Sequence, residues 1–178
     1  MSGGIFIRIK KILLISVAAC MMLVSTLSAC SKVMPDEKVS LEEFSSLISF
    51  SDCETEFSGN LEYVSPLQIS FTVENPVELK GMVVEESNGE KRAKLGDAYV
   101  SLDKAEILFE SSSCLSELFE ILGSMGNEVF ELSNDRTVSG KCESGEYKAE
   151  FSEGGCIPNY IETEFHRYVF ESADKLPA

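Results

Sequence analysis

The sequence predicts an α+β fold that is mostly β: a curved antiparallel sheet of about nine strands, unclosed like half a barrel, with two amphipathic helices on its concave face. Long stretches alternate apolar and polar residues with the period of two that is typical of strands with one solvated face. Asn88-Gly89 and Ser144-Gly145 indicate tight hairpins between such stretches. Two further segments, 40–48 and 114–122, instead place apolar residues at helical spacing.

The first predicted helix begins at Ser40, because Ser40 and Glu43 form the S-x-x-E pattern of a capping box. Its apolar face consists of Leu41, Phe44, Leu47 and Ile48. Alternation follows in segment 53–63 and again in segment 67–73, which ends at Asn75-Pro76. These two segments are predicted to be consecutive strands.

The Asn88-Gly89 turn predicts a complete hairpin register. Folding about it pairs opposite charges on one face and apolar residues on the other, which is the arrangement that stabilises an antiparallel pair. The predicted pairs are Glu86 with Lys91, Glu85 with Arg92, Val84 with Ala93, and Met82 with Leu95. Segment 96–102 is predicted as a further strand, and segment 104–110 is ambiguous.

The second predicted helix follows the serines at 111–113, which offer a cap, and ends near Gly123 and Gly126. Its apolar stripe contains Cys114, Leu115, Leu118, Phe119, Ile121 and Leu122. Strands are then predicted at 128–133, 137–142, 147–152, 157–163 and 166–171. A turn at Ser144-Gly145 pairs Cys142 with Tyr147, Gly140 with Ala149, Val138 with Phe151, and Lys141 with Lys148.

The N-terminal region predicts export and lipid anchoring. Basic residues at 8, 10 and 11 precede an apolar run at 12–27, and the segment Leu27-Ser28-Ala29-Cys30 resembles the lipobox of bacterial lipoproteins. The resemblance implies that residues 1–29 are a signal peptide and that Cys30 carries a diacylglyceryl group on the extracytoplasmic face of the cell membrane. Residues 30–39 are then a tether and 40–178 a single domain. The alternative is an uncleaved membrane helix.

Charge and cysteine spacing exclude several function classes. The mature chain has 12 basic against 30 acidic residues, so we expect no nucleic-acid partner and no broad contact with anionic lipid. Four cysteines remain beyond Cys30, at positions 53, 114, 142 and 156, and they permit three disulfide pairings. None forms C-x-x-C, so neither a redox motif nor a zinc site is predicted. Disulfides and free thiols both remain open, and the first three are expected to be less than about a fifth exposed.

The mature segment resembles the LolA/LolB/LppX-like lipoprotein-carrier superfamily. The lipobox, a capped first helix and meandering strands carry this resemblance, and the most similar stretches are Glu74–Gly81 and Gly155–Pro158. It spans about residues 41–172. It implies an unclosed barrel that holds an acyl chain between its sheet and its helices.

Two functions follow from these observations. The first is binding of a lipid or another apolar ligand, for which the candidate lining residues are Phe57, Leu61, Phe71, Leu118, Phe119, Leu122 and Phe151. The alternative is an envelope interaction or structural lipoprotein with a filled core. We expect no enzyme activity, cofactor or metal. The sole histidine, His166, has no nucleophile-elbow motif near it and is interpreted as a satisfied or exposed surface residue.

Overall fold

A computed structural model describes residues 37–52, 55–101 and 112–176. They form one curved antiparallel sheet of ten strands that does not close into a barrel, a separate two-stranded sheet, one α-helix and one short 3-10 turn. The predicted class, a mostly β half-barrel, is therefore confirmed.

In chain order, the elements are β1 Lys38–Val39, β2 Phe44–Asp52, β3 Thr55–Ser65, β4 Gln68–Asn75, the 3-10 turn Val77–Leu79, β5 Val83–Ser87, β6 Glu90–Leu95, β7 Ala98–Ser101, α1 Ser112–Asn127, β8 Phe130–Glu131, β9 Thr137–Cys142, β10 Gly145–Phe151, β11 Pro158–Thr163 and β12 Arg167–Lys175. The large sheet has the order β7-β6-β5-β4-β3-β2-β12-β11-β10-β9, and β1 pairs with β8. The ambiguous segment 104–110 lies outside the described residues.

The Asn88-Gly89 hairpin has the predicted turn and three of its four predicted pairs. Both turn residues have positive φ, 54° at Asn88 and 81° at Gly89. Glu86 pairs with Lys91, Glu85 with Arg92 and Val84 with Ala93. The fourth pair is not formed, because β5 begins at Val83 and leaves Met82 outside the ladder; Met82 is buried, whereas Leu95 is 53% exposed.

The first predicted helix was wrong, because residues 44–52 form β2, a central strand between β12 and β3. Phe44, Ser46, Ile48 and Phe50 alternate on its buried face. This segment fits both periods, since Phe44 and Ile48 are also one helical turn apart. Two flanking strands supply backbone hydrogen bonds on both sides, and this tertiary pairing overrides a local capping signal.

The second hairpin has the predicted strands with a register displaced by two residues. Its turn is Glu143-Ser144, so Cys142 pairs with Gly145, Lys141 with Glu146, and Gly140 with Tyr147. A shift of two keeps every side chain on its original face, so alternation alone could not distinguish the two registers. The observed one replaces the Lys141–Lys148 repulsion with a Lys141–Glu146 ion pair of 3.1 Å.

Helix α1 confirms the second predicted helix and continues past Gly123 and Gly126 to Asn127. Gly126 lies against Tyr63, where a Cβ would come within 1.7 Å of the phenol oxygen, so glycine permits this close approach. Polar contacts show how far the helix reaches across the sheet. The Ser116 carbonyl accepts from Lys91 on β6, and Glu120 accepts from the Glu143 amide in the β9–β10 turn.

Candidate functional site

The seven residues predicted to line an apolar site all lie in one hydrophobic core. Each is 4% exposed or less, and together they pack with the apolar side chains of the sheet and of α1. The aromatic rings contact one another: Phe50 lies 5.3 Å from Phe57 and 5.7 Å from Phe71 between ring centroids. These buried and mutually contacting side chains therefore occupy the space between helix and sheet as a protein core does.

Grooves that open to solvent lie elsewhere on the sheet. One of about 460 Å³ is lined by residues of β2, β3 and β12, including Ser49 and Arg167. Another of about 640 Å³ is lined by residues of β9, β10 and β11, including Lys141 and Glu162. Neither contains a residue of α1.

The predicted lipidation site, Cys30, lies outside the described residues, as does the signal peptide. Within the part of the chain that the structure describes, no helix combines the length and the hydropathy needed to span a bilayer. The tether prediction also falls mostly outside this part, and its last two residues form β1.

A buried polar cluster joins the start of α1 to the start of β12. Cys114 lies in the first turn of α1, and Glu117 follows one turn later on the same face. His166 immediately precedes β12, and Tyr168 is its second residue. The Cys114 Sγ is 2.9 Å from His166 Nε2, and His166 Nδ1 is 2.8 Å from Glu117 Oε2. The order is thus thiol, imidazole, carboxylate.

A tight turn between β11 and β12 fixes the position of the imidazole. The Thr163 amide donates to the His166 carbonyl at 2.8 Å, and the His166 amide donates to the Thr163 hydroxyl at 3.0 Å. The Phe165 amide donates to the same hydroxyl. A threonine side chain that satisfies two successive amides holds the backbone of a turn. The turn therefore holds the His166 ring in a fixed position facing α1.

Tyr168 connects the two elements a second time. Its hydroxyl lies 2.7 Å from the Cys114 carbonyl oxygen and 2.8 Å from Glu117 Oε2, so its proton is shared between two acceptors. Burial, and next the hydrogen bond to Glu117, strongly raise the pKa of Tyr168. The phenol is therefore a permanent donor that locks the first turn of α1 onto β12.

Glu117 is the buried acidic group of the cluster, and its side chain is 3% exposed. A buried carboxylate must be hydrogen-bonded, and Glu117 accepts hydrogen bonds from both the His166 imidazole and the Tyr168 phenol. Because a carboxylate oxygen can only accept, we assign Nδ1 as the donor to Glu117, which leaves Nε2 to accept the S–H of Cys114. Proton transfer across this contact would give a thiolate and an imidazolium, which Glu117 stabilises.

The sequence interpretation missed this cluster, because His166 is 52 residues from Cys114 and 49 from Glu117. One signal was present: Glu117 interrupts the apolar stripe of α1. Among the other cysteines, Cys142 and Cys156 are half-buried and form no disulfide within the described residues, and Cys53 lies outside them. Cys114 is fully buried, as predicted.

Burial, followed by a hydrogen bond to Glu42, raises the pKa of the Cys156 thiol, which makes this thiol a poor nucleophile and a useful comparison for Cys114. Within the described ranges, no group of three His, Cys, Asp or Glu residues is arranged to hold a metal ion.

No protein-family model matches this chain, and no curated protein matches it. Five chains of solved structures do match. One is an uncharacterized conserved protein from Thermus thermophilus, which is 8% identical at a TM-score of 0.41, with 77% of this chain and 80% of that chain covered. A functional assignment therefore depends on this chain's own residues.

Proposed function

We propose that this chain is a lipoprotein of the cell envelope, anchored through Cys30, whose half-barrel domain binds a partner on its outer surface rather than a lipid in its interior. The packed space between α1 and the sheet carries this proposal. A useful site for an apolar ligand needs about 300 Å³ or more. The side chains that would line such a site instead contact one another.

The depth of this packing is clearest at the middle of α1. Leu118, Ile121 and Leu122 are fully buried, and Phe119 is almost so. Opposite them, the sheet contributes Leu61, Phe71 and Ala149, which are equally buried. An acyl chain would have to displace these contacts, each of which contributes dispersion and hydrophobic stabilisation. A filled core favours the interaction module over the carrier.

The charge of the mature chain indicates the kind of partner. Its net charge is near −18, and acidic residues line part of its outer surface, with Glu62, Glu85 and Glu86 around one groove of about 180 Å³. Complementary charge accelerates encounter and suppresses wrong partners. A basic protein surface in the envelope therefore suits this module best.

The anchor is tested by growing cells with radiolabelled palmitate and comparing wild type with Cys30→Ser. The wild type should be labelled and should fractionate with membranes, whereas the variant should retain its signal peptide and carry no label. Cys20→Ser is the matched control, because Cys20 lies in the apolar run and should be dispensable. Equal labelling of Cys30→Ser and wild type would refute the anchor.

The filled core is tested by organic extraction of the purified protein followed by mass spectrometry. The acyl chains of the anchor remain covalently attached, so any free lipid that co-purifies must be bound noncovalently. We expect less than stoichiometric free lipid after detergent exchange. One lipid per protein, retained through exchange and released by Leu122→Phe, would overturn the interaction module and restore the carrier.

A further inference from the structure

We propose that Cys114, His166 and Glu117 form a nucleophilic thiol site that accepts a short acyl group from an ester or a thioester. Cys114 is the nucleophile, His166 is its base, and Glu117 orients the imidazole. This activity goes beyond anchoring and partner binding, and it does not depend on either.

The nucleophile and its base are in direct contact. A separation of 2.9 Å between Sγ and Nε2 is short for a contact with sulfur and lies within the distance over which a proton can pass between the two atoms. Nucleophilic catalysis requires this contact, because the thiolate and not the thiol attacks. The first turn of α1 also presents the positive end of the helix dipole to the sulfur, which stabilises negative charge there.

Glu117 and Tyr168 supply the orienting groups. In serine and cysteine triads, an acid or an amide on the far imidazole nitrogen selects the tautomer and stabilises the imidazolium that forms. Glu117 occupies this position at 2.8 Å from Nδ1, and Tyr168 donates to the same carboxylate oxygen. A second hydrogen bond to Glu117 Oε2 prevents rotation of the carboxylate away from the ring.

The reaction that this arrangement supports balances without any redox partner. His166 takes the proton of Cys114, and the thiolate attacks the carbonyl carbon, so an S–C bond forms. The C–O bond of an ester, or the C–S bond of a thioester, then breaks, and the leaving group receives the proton from Nε2. Cys114 is left as a thioester. A water molecule deprotonated by His166 cleaves that thioester, releasing the acid and restoring the thiol.

Burial limits the substrate. Cys114 has no exposed surface, and the His166 side chain is 13% exposed, so solvent contacts the ring and not the sulfur. A carbonyl compound must approach along the imidazole edge. An acyl group can reach the sulfur only by displacing side chains packed around it, so we expect acetyl-sized groups to react faster than long acyl chains, whose apolar tails find no space in the filled core.

The test uses the full-length protein in detergent and p-nitrophenyl acetate as the probe. Peptide mapping by mass spectrometry measures how fast an acetyl group appears on each cysteine. Cys114 should be acetylated at least about ten times faster than Cys142 or Cys156, and p-nitrophenyl butyrate should react more slowly. His166→Gln should lower the Cys114 rate about a hundredfold or more, the range expected for loss of a general base.

Three variants separate chemistry from structure. Glu117→Gln should lower the Cys114 rate by a smaller factor than His166→Gln, since the ring stays but loses its stabilising charge. Cys156→Ser is the matched control and should leave the Cys114 rate unchanged. Circular dichroism shows whether each variant keeps its fold. If His166→Gln does not fold, the comparison of Cys114 with Cys142 and Cys156 in the wild type still decides the question.

The proposal is overturned if Cys114 stays unmodified in the folded wild type while Cys156 reacts. It is equally overturned if a folded His166→Gln protein reacts at the wild-type rate. Acetylation of Cys114 only as fast as the protein unfolds would assign the cluster a purely structural role.

Discussion

Substitution of Leu122 by alanine tests whether the space under α1 is a packed core. Leu122 is fully buried in the last complete turn before Gly123, and it packs in the same cluster as the sheet residues. Removing three carbons forfeits about 2.4 kcal/mol of transfer free energy at about 0.8 kcal/mol per carbon. An incompletely collapsed cavity adds a further penalty, so we expect a loss of about 3–4 kcal/mol in the free energy of unfolding.

Urea denaturation of the purified protein, followed by far-ultraviolet circular dichroism, measures this loss. Leu67→Ala is the matched control, because Leu67 is 60% exposed in the β3–β4 turn and its truncation should cost less than about 0.5 kcal/mol. The slope with denaturant should be the same in both proteins, so that the midpoint alone reports stability. A loss below about 1 kcal/mol for Leu122→Ala would refute the packed core, because a residue that lines an empty or lipid-filled cavity has few contacts to lose.

Three further predictions concern single positions. Gly89→Val should cost about 1–2 kcal/mol of unfolding free energy, because φ at Gly89 is 81°. A Cβ there meets no atom within 4 Å, so the cost is backbone strain alone. An unchanged melting temperature would contradict the predicted turn. Gly140→Ala should cost about 1–3 kcal/mol in urea denaturation, because its Cβ would lie 2.4 Å from the Tyr147 phenol oxygen. In the register predicted from the sequence, Gly140 would face Ala149 and the substitution would cost little. Burial, and next the charge of Glu43, raise the pKa of Tyr63 to about 12. The unfolded phenol ionises at about pH 10, so the free energy of unfolding should fall between about pH 10 and pH 12. In the Tyr63→Phe protein it should fall less than in wild type over the same range.

The parts of the fold that could be predicted from the sequence are those determined by local interactions. The Asn88-Gly89 hairpin combines a turn that needs positive φ with two opposite-charge pairs, and only one register satisfies both. The stripe of α1 repeats over two turns, which is long enough to fix its period. Each of these signals is complete within about fifteen residues of chain, roughly the window in which periodicity is informative.

The parts that could not be predicted depend on partners distant in sequence. Segment 44–52 carries a pattern compatible with helix and with strand, and it became a strand because β3 and β12 flank it. The β9–β10 register depended on the choice between turns at 143–144 and 144–145, which leave the faces unchanged. One difference is the contact of Lys141 with Glu146 instead of Lys148, a contribution of a few tenths of a kcal/mol at an exposed position, and another is the packing of Tyr147 against Gly140.

The polar cluster combines a local sequence signal with a contact between residues distant in sequence. A carboxylate at position 117, on the stripe that carries Cys114 and Ile121, would cost several kcal/mol if it were buried alone. Its presence on an otherwise apolar face therefore requires a donor from another element. The chain offers one histidine, which could supply that donor. The sequence interpretation did not use this signal, and only the structure, in which the β11–β12 turn presents His166 to α1, shows that the partner is His166 and that the same imidazole reaches Cys114.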